Sequence, residues 1–353
     1  MSDTGRSGGQ GASMPSATAL SEGAAAADGA GALRPALRRA AVFASALAIL
    51  SLLAAVVVLA ARNDLDKAVR VLADAPVWLV LVVVAFATLN YAIRTQRFVY
   101  LARRLGLEVP FGEMSVYYVA GFALTMSPGK LGEMVRLWFM KRKFDFSYRR
   151  GVALQLGDRI SDVYAMLLLC LAGLTGFEQY RGSVLAVLGV ALAGTLLLAR
   201  PALLIGCLDI VYAAVRIKPR LFVHLRHMVR NTALVMQGRV FLVALTLGLA
   251  SWFAEAFSLW VVLHLLGAPV DLLAATFVFA FAGVVGGLTM LPGGVGGFEI
   301  VMVMLLGLQG VPTEVALVAT AILRLGTVWY ATAAGFLAAP FAVRLSTPRP
   351  ARG

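Results

Sequence analysis

Cysteine is nearly absent from this 353-residue chain: only Cys170 and Cys207 occur, both in apolar surroundings. Two such thiols exclude a disulfide framework and a thiolate metal cluster, and read as buried packing residues. Histidine is as scarce. Of His224, His227 and His264, only the first two share a helix face by spacing, and no carboxylate or thiol accompanies them. Neither a metal centre nor a cofactor is therefore expected. Charge is thin, at 14% Asp, Glu, Lys and Arg. No Gly-x-x-x-x-Gly-Lys-Ser/Thr phosphate loop occurs, which argues against direct use of ATP. Acid is outnumbered as well: 31 Lys and Arg face 18 Asp and Glu, for a net charge of +13. The arginines cluster at the ends of apolar runs, where membrane topology and anionic headgroups place them, so nucleic acid is not an expected partner.

What is abundant is apolar sequence. Hydrophobic residues make up 60% of the chain and the mean hydropathy is +0.86, values that exclude an ordinary soluble domain. About 20 apolar residues span a bilayer as helix. Full spans are expected at 40–61, 76–98, 151–176, 182–199, 240–266 and 314–340. Residues 1–33 are Gly, Ala and Ser with little charge and should form a disordered tail. They lack the apolar core of a secretory signal. Residues 34–345 then form the transmembrane domain, and 346–353 a C-terminal tail. Basic clusters at Arg34, Arg38 and Arg39, at Arg94 to Arg104, at Lys141 to Arg150 and at Arg344 to Arg352 place both termini in the cytoplasm of a plasma (inner) membrane protein. Residues 201–239 mix Arg and Lys with Leu, Val and Phe and read as a cytoplasmic amphipathic segment.

Two apolar regions, 112–141 and 271–310, do not read as simple spans. The first is broken by Ser127-Pro128-Gly129-Lys130-Leu131-Gly132-Glu133, the second by Leu291-Pro292-Gly293-Gly294-Val295-Gly296-Gly297-Phe298-Glu299. Their halves are too short to cross at 1.5 Å per residue, and their flanking charges put each region's two ends on one side. The expected architecture is an all-α polytopic membrane protein of about six spans and two re-entrant helical hairpins. Repeat one covers about 76–176 and repeat two about 240–340, in opposite senses. Such duplicated, Gly/Pro-broken segments point to the substrate site of an inverted-repeat transporter.

Each break is followed, at nearly the same distance, by an arginine inside an apolar helix: Arg159 and Arg324. Charges at that depth face a bundle interior or a wet cavity. Arg159 and Arg324, with Arg136, are the expected contacts of a lipid phosphate, balanced by Asp158, Asp162, Glu133 and Glu299. The freed backbone around Pro128, Gly129, Lys130 and Gly132, and around Pro292, Gly293, Gly294, Gly296 and Gly297, is expected to line the same site. Each following half-helix aims its positive N-terminus at mid-membrane, where an anion fits. Glu133 and Glu299 fall in the first turn of those half-helices. Gln155, Asp158, Arg159 and Asp162 form one polar stripe. Glu255 lies mid-span among Trp252, Phe253 and Phe257. Arg94 and Arg97 read as snorkelling anchors at an interface, and Gly283-x-x-x-Gly287 as a packing motif.

These motifs resemble the transmembrane region of lysylphosphatidylglycerol synthases and the related stand-alone flippase-like membrane proteins. The resemblance rests on Pro128-x-x-x-Gly132-Glu133-x-x-Arg136 and Asp158-Arg159-x-x-Asp162. In the second half it rests on Leu291-Pro292-Gly293-Gly294-Val295-Gly296-x-x-Glu299, Gly310-Val311-Pro312 and Leu323-Arg324. It covers residues 40–340, with Asp158 where the family usually carries Glu. It implies movement of an anionic, modified or lipid-linked headgroup between leaflets. The synthases also carry a soluble aminoacyl-transfer domain, which has no counterpart in this sequence, so aminoacyl transfer is not expected. Two alternatives remain open at this stage: a membrane-embedded lipid-modifying enzyme, and a non-catalytic subunit that docks a partner. Self-association or a partner enzyme stays open with them.

Overall fold

A computed structural model describes residues 65–126, 134–174, 219–289 and 291–347, with isolated helical positions between 181 and 209. The tail 1–33, the expected span 40–61, nearly all of 182–199 and the first break, 127–133, lie outside the described residues.

Every regular element among the described residues is helical. A short amphipathic helix α1 (Leu65–Asp74) leads into α2 (Trp78–Arg104), which is followed by α3 (Phe111–Ala120) and a 3-10 turn (Gly121–Leu124). Then come α4 (Val135–Phe144), α5 (Tyr148–Ala172) and α6 (Pro219–Val235). The second half runs through α7 (Gly238–Leu265), α8 (Leu272–Leu288), a 3-10 turn (Pro292–Gly294) and α9 (Gly297–Leu308). It closes with α10 (Thr313–Arg324), a π segment (Leu325–Trp329) and α11 (Tyr330–Leu345). Among the described residues both halves run long helix, short helix, short helix, long helix, and in the second half the break at Pro292–Gly294 separates the two short helices.

Local chemistry sets the boundaries. Pro110 and Pro312 immediately precede α3 and α10, where the missing N–H costs nothing and the fixed φ suits a helix start. The Asp271 carboxylate caps α8, accepting from the amides of Leu273 at 2.8 Å and Ala274 at 3.3 Å. Helix α4 ends at Asp145 in the left-handed conformation, φ 51°, a position Asp tolerates better than most residues.

Three helices are long and apolar enough to cross a membrane: Trp78–Arg104, Gly238–Leu265 and Thr313–Leu345. They coincide with three of the expected spans. Helix α5 has the length, but Arg149, Arg150, Asp158, Arg159 and Asp162 keep it from qualifying by composition, and it is covered by protein along most of its course. Leu272–Leu288 and Pro292–Leu308 are the shorter apolar helices on either side of the second break.

The long helices α2 and α7 cross antiparallel. Asn90 Nδ2 donates to Ser251 O at 2.8 Å, while Arg97, further along α2, lies beside Gly248, earlier on α7. The short helices exchange partners: α3 and its 3-10 turn pack on α11 of the other half, and α8 packs on α5. Glycines permit both contacts. A Cβ at Gly335 would lie 2.1 Å from the Ala123 nitrogen, and one at Gly173 would lie 2.2 Å from Leu273 O. One apolar core gathers α8, α9 and α10 around Phe277 and Phe279, and a second gathers α3, α5 and the later part of α2 around Phe98 and Tyr118.

Candidate functional site: a charged cavity between the two halves

The second break is built by glycine. Leu291 is extended and Pro292 opens the 3-10 turn. Gly293, Gly294 and Gly296 then take φ of 62°, 68° and 89°, a region closed to most side chains. This reverses the chain between α8 and α9. Glu299, in the first turn of α9, folds back so that Oε2 accepts from the Gly296 N–H at 2.8 Å. Its other oxygen, Oε1, receives Arg324 Nε at 2.6 Å. Arg324 Nη2 also donates to Gly293 O at 2.8 Å, and its guanidinium lies 4.7 Å from the Phe298 ring centre. One side chain from α10 thus clasps both ends of the break. The helix leaves Arg324 directly into the π segment, and π bulges free backbone groups near functional sites. Tyr91 on α2 donates its hydroxyl to Thr327 O there, at 2.9 Å.

The expected N-terminal anion site of α9 is therefore modified. Its first turn is already served by the chain's own carboxylate, Glu299, so the positive groups presented to the interior are the arginines rather than the helix end.

The second cluster joins α2, α5 and α7. Arg97 Nη2 reaches Asp158 Oδ1 at 2.6 Å and Asp162 Oδ1 at 2.7 Å, and Arg97 Nε reaches Asp158 Oδ1 at 2.9 Å. Arg94 Nη2 donates to Asp162 Oδ2 at 3.1 Å. Trp252 Nε1 donates to Asp162 Oδ1 at 2.8 Å, and Arg94 stacks on the Trp252 ring at 4.8 Å. Arg159 makes longer contacts, 3.3 Å to Asp158 and 3.5 Å to Asp162. Its side chain keeps 27% of its surface exposed, against 0% for Arg97.

This corrects the expectation for Arg94 and Arg97. They are buried, at 5% and 0% exposure, and act as the principal counter-ions of Asp158 and Asp162. The residue spacing held the signal: two arginines three apart on α2 face two aspartates four apart on α5, each pair on a single helix face. Trp252 as their hydrogen-bond donor had no such signal.

Arg136 is fully buried but occupies a different setting. Its Nε donates to Tyr118 O at 3.0 Å, and its guanidinium lies 3.7 Å from the Tyr118 ring centre and 5.0 Å from that of Phe122. It passes across Gly121, where a Cβ would come within 2.5 Å of Nε. Arg136 thus backs the 3-10 turn from behind.

Between the clusters lies a cavity of about 130 Å³. Arg94, Arg159, Arg324 and Glu255 bring charge to its wall, and Gly293 and Gly294 bring the second break. Tyr91, Phe122, Trp252 and Phe298 supply aromatic faces, and Gly283, Gly286 and Gly287 a smooth strip from α8. So Arg159 and Arg324, matched by position in the sequence, face one space. Asp158, Asp162 and Glu299 stand behind them as counter-ions. Gly296 caps α9, and Gly297 packs against Thr289, whose Cγ2 would lie 2.7 Å from an added Cβ. Pro292 opens the turn without lining the cavity. Pro128, Gly129, Lys130, Gly132 and Glu133 lie outside the described residues. Among the described residues no group of three or more His, Cys, Asp or Glu side chains is arranged to hold a metal ion.

The family description "Lysylphosphatidylglycerol synthase TM region" matches residues 41–335. The chain is also 23% identical over 314 residues to a UPF0104 membrane protein of Methanothermobacter thermautotrophicus, covering 82% of this chain and 92% of that relative. The chain is an all-α membrane protein and belongs to the lysylphosphatidylglycerol synthase transmembrane-region family.

Proposed function

We propose that this member of the family moves a lipid with an anionic headgroup between the leaflets of the plasma membrane. The observation that carries the reading is the convergence of Arg159 and Arg324, one from each half, on a single cavity beside a broken helix. Arg159 has the longest ion-pair distances and the greatest exposure of the clustered arginines, so a phosphate exchanges for part of its contact with Asp158 and Asp162. Arg324 is held by Glu299 and Gly293 O. A phosphate meeting Arg324 is therefore felt by the second break, which is the route by which binding loosens one end of the cavity.

The antiparallel crossing of α2 and α7, and the exchange of short helices between halves, support an inverted repeat. In that arrangement the N- and C-termini face the cytoplasm, and rocking of one half against the other opens the cavity to each leaflet in turn.

The test is leaflet exchange of fluorescent phosphatidylglycerol in proteoliposomes. The native protein is expected to accelerate exchange, and Arg159→Gln/Arg324→Gln to abolish the acceleration while still folding. Equal exchange by both proteins removes the arginines from the path. A covalently altered lipid after incubation with the native protein identifies an enzyme instead.

A further inference from the structure

The helix that carries Arg324 changes character immediately after it. From Thr313 to Leu345 the chain runs as one apolar helix, but Leu325–Trp329 is wound as π. The Tyr330 N–H accordingly reaches back to Leu325 O, one residue further than in an α-helix. A widened turn frees carbonyls, and in a bilayer neighbouring hydroxyls are what serve them. Three hydroxyls donate to carbonyls around this one. Thr327 Oγ1 donates to Leu323 O at 2.7 Å, Thr332 Oγ1 to Val328 O at 2.8 Å, and Tyr91 of α2 to Thr327 O at 2.9 Å.

The π segment also joins two differently packed bodies. Before it, Val318, Ile322 and Leu323 of α10 belong to the core of α8 and α9 with Phe277 and Met302. After it, Ala331 belongs to the core of Phe98 and Tyr118, and Ala339 and Ala342 to that of Tyr117 on α3. The cavity lies across this joint. Arg324, Phe298 and Gly293 wall it from one body, and Tyr91, Phe122 and Ala331 from the other. Helix α2 grips the joint at three points. Val83 fills the space at Gly326, where an added Cβ would lie 2.5 Å from its Cγ1. Thr88 Oγ1 meets the Tyr330 hydroxyl at 2.9 Å. Tyr91, its ring 4.8 Å from Phe122 and 5.9 Å from Tyr330, holds Thr327 O on the cavity wall itself.

We propose that the π segment is the joint on which the second break swings, and that Tyr91 is the positioning residue that latches it. With the hydroxyl on Thr327 O, Arg324 is held on the same cavity as Arg159, the arrangement that receives an anionic headgroup. Release of that bond lets α8, α9 and α10 swing as a unit away from α2, α3 and α11. Arg324 and its Glu299 contact travel with them. This deepens the lipid-transport reading above and rests on it for the ligand. One hydrogen bond biases such an equilibrium by about three- to tenfold, so the latch shifts a balance between two forms.

Two measurements on the full-length protein test the latch. The first places spin labels at Ile300→Cys on α9 and Leu337→Cys on α11, both exposed positions, in a cysteine-free background. Two label separations are expected, and Tyr91→Phe should raise the open-to-closed ratio by about three- to tenfold. Tyr117→Phe removes a different hydroxyl, which donates to Glu113 at 2.6 Å, and should leave the ratio unchanged. The second is calorimetric binding of glycerophosphoglycerol, expected to be weaker in Tyr91→Phe by up to about tenfold. A ratio that Tyr91→Phe leaves unchanged, or that Tyr117→Phe shifts as far, overturns the latch. If the native protein still exchanges lipid, that result leaves transport standing. Equal binding by native and Tyr91→Phe proteins overturns the role of the latch in positioning Arg324. A ratio shifted as expected in a protein that exchanges no lipid supports the latch and overturns transport.

Discussion

Asp162 gathers partners from three helices. It receives Arg94, Arg97 and Trp252 at 2.7–3.1 Å and lies 3.5 Å from Arg159. A buried ion network of this kind adds little stability over well-packed apolar residues, yet breaking it from one side is costly because a charge is left unmatched. Asp162→Asn is therefore expected to destabilise the protein by about 3–5 kcal/mol, read as a fall in the thermal unfolding midpoint in detergent. Replacing Arg97 and Asp158 together by Met and Leu should cost less than the sum of the single changes, which a double-mutant cycle measures directly. Arg324 has a narrower role. Arg324→Lys keeps the charge but not the simultaneous reach to Glu299 and Gly293 O. It is expected to weaken exchange more than it lowers stability.

At the scale of elements, the second break is a turn that only glycine fits. At Gly293, φ of 62° and a Met126 Sδ 2.7 Å from an added Cβ oppose any side chain. Gly293→Ala should cost about 1–2 kcal/mol from backbone conformation alone, and more if Met126 does not move. The helix contacts exchanged between halves are equally intolerant. Gly335→Val would drive a side chain into the Ala123 backbone, so the 3-10 turn and α11 must separate. Loss of monodisperse protein on size-exclusion chromatography is the expected outcome. Gly287→Ala is the contrast, since an added Cβ there meets nothing within 4 Å. It should fold normally and test only the cavity wall.

For the whole molecule, the basic clusters predict where each connection lies. In a cysteine-free background, Glu108→Cys, after α2, should be labelled by membrane-impermeant maleimide only from the cytoplasmic side. Pro269→Cys, after α7, should be labelled only from outside. Both positions are exposed. Labelling of both from the same side overturns the inverted arrangement while leaving the helices and the cavity as described. The packing that includes this antiparallel crossing also brings charges from α2, α5, α7 and α10 to the wall of one cavity.

The sequence by itself determined the class of the protein, three of its spans to within a few residues and the place of the second break. These depend on local chemistry: apolar runs long enough for a bilayer, and a Pro-Gly-Gly turn that no helix accommodates. It also marked Arg159, Arg324, Asp158, Asp162 and Glu299, because a charge in an apolar helix needs an internal partner. Only the tertiary structure decided who those partners are. Asp158 and Asp162 turned to Arg97 and Arg94, residues whose place near the end of an apolar helix made an interface the natural expectation. Trp252 completed the cluster from a third helix. Side-chain pairing between α2, α5 and α7 depends on how those helices cross and which faces meet. That information belongs to packing, where Gly248 on α7 sets the approach: an added Cβ there would lie 2.9 Å from Arg97 Nη1 and 3.3 Å from Ser161 O.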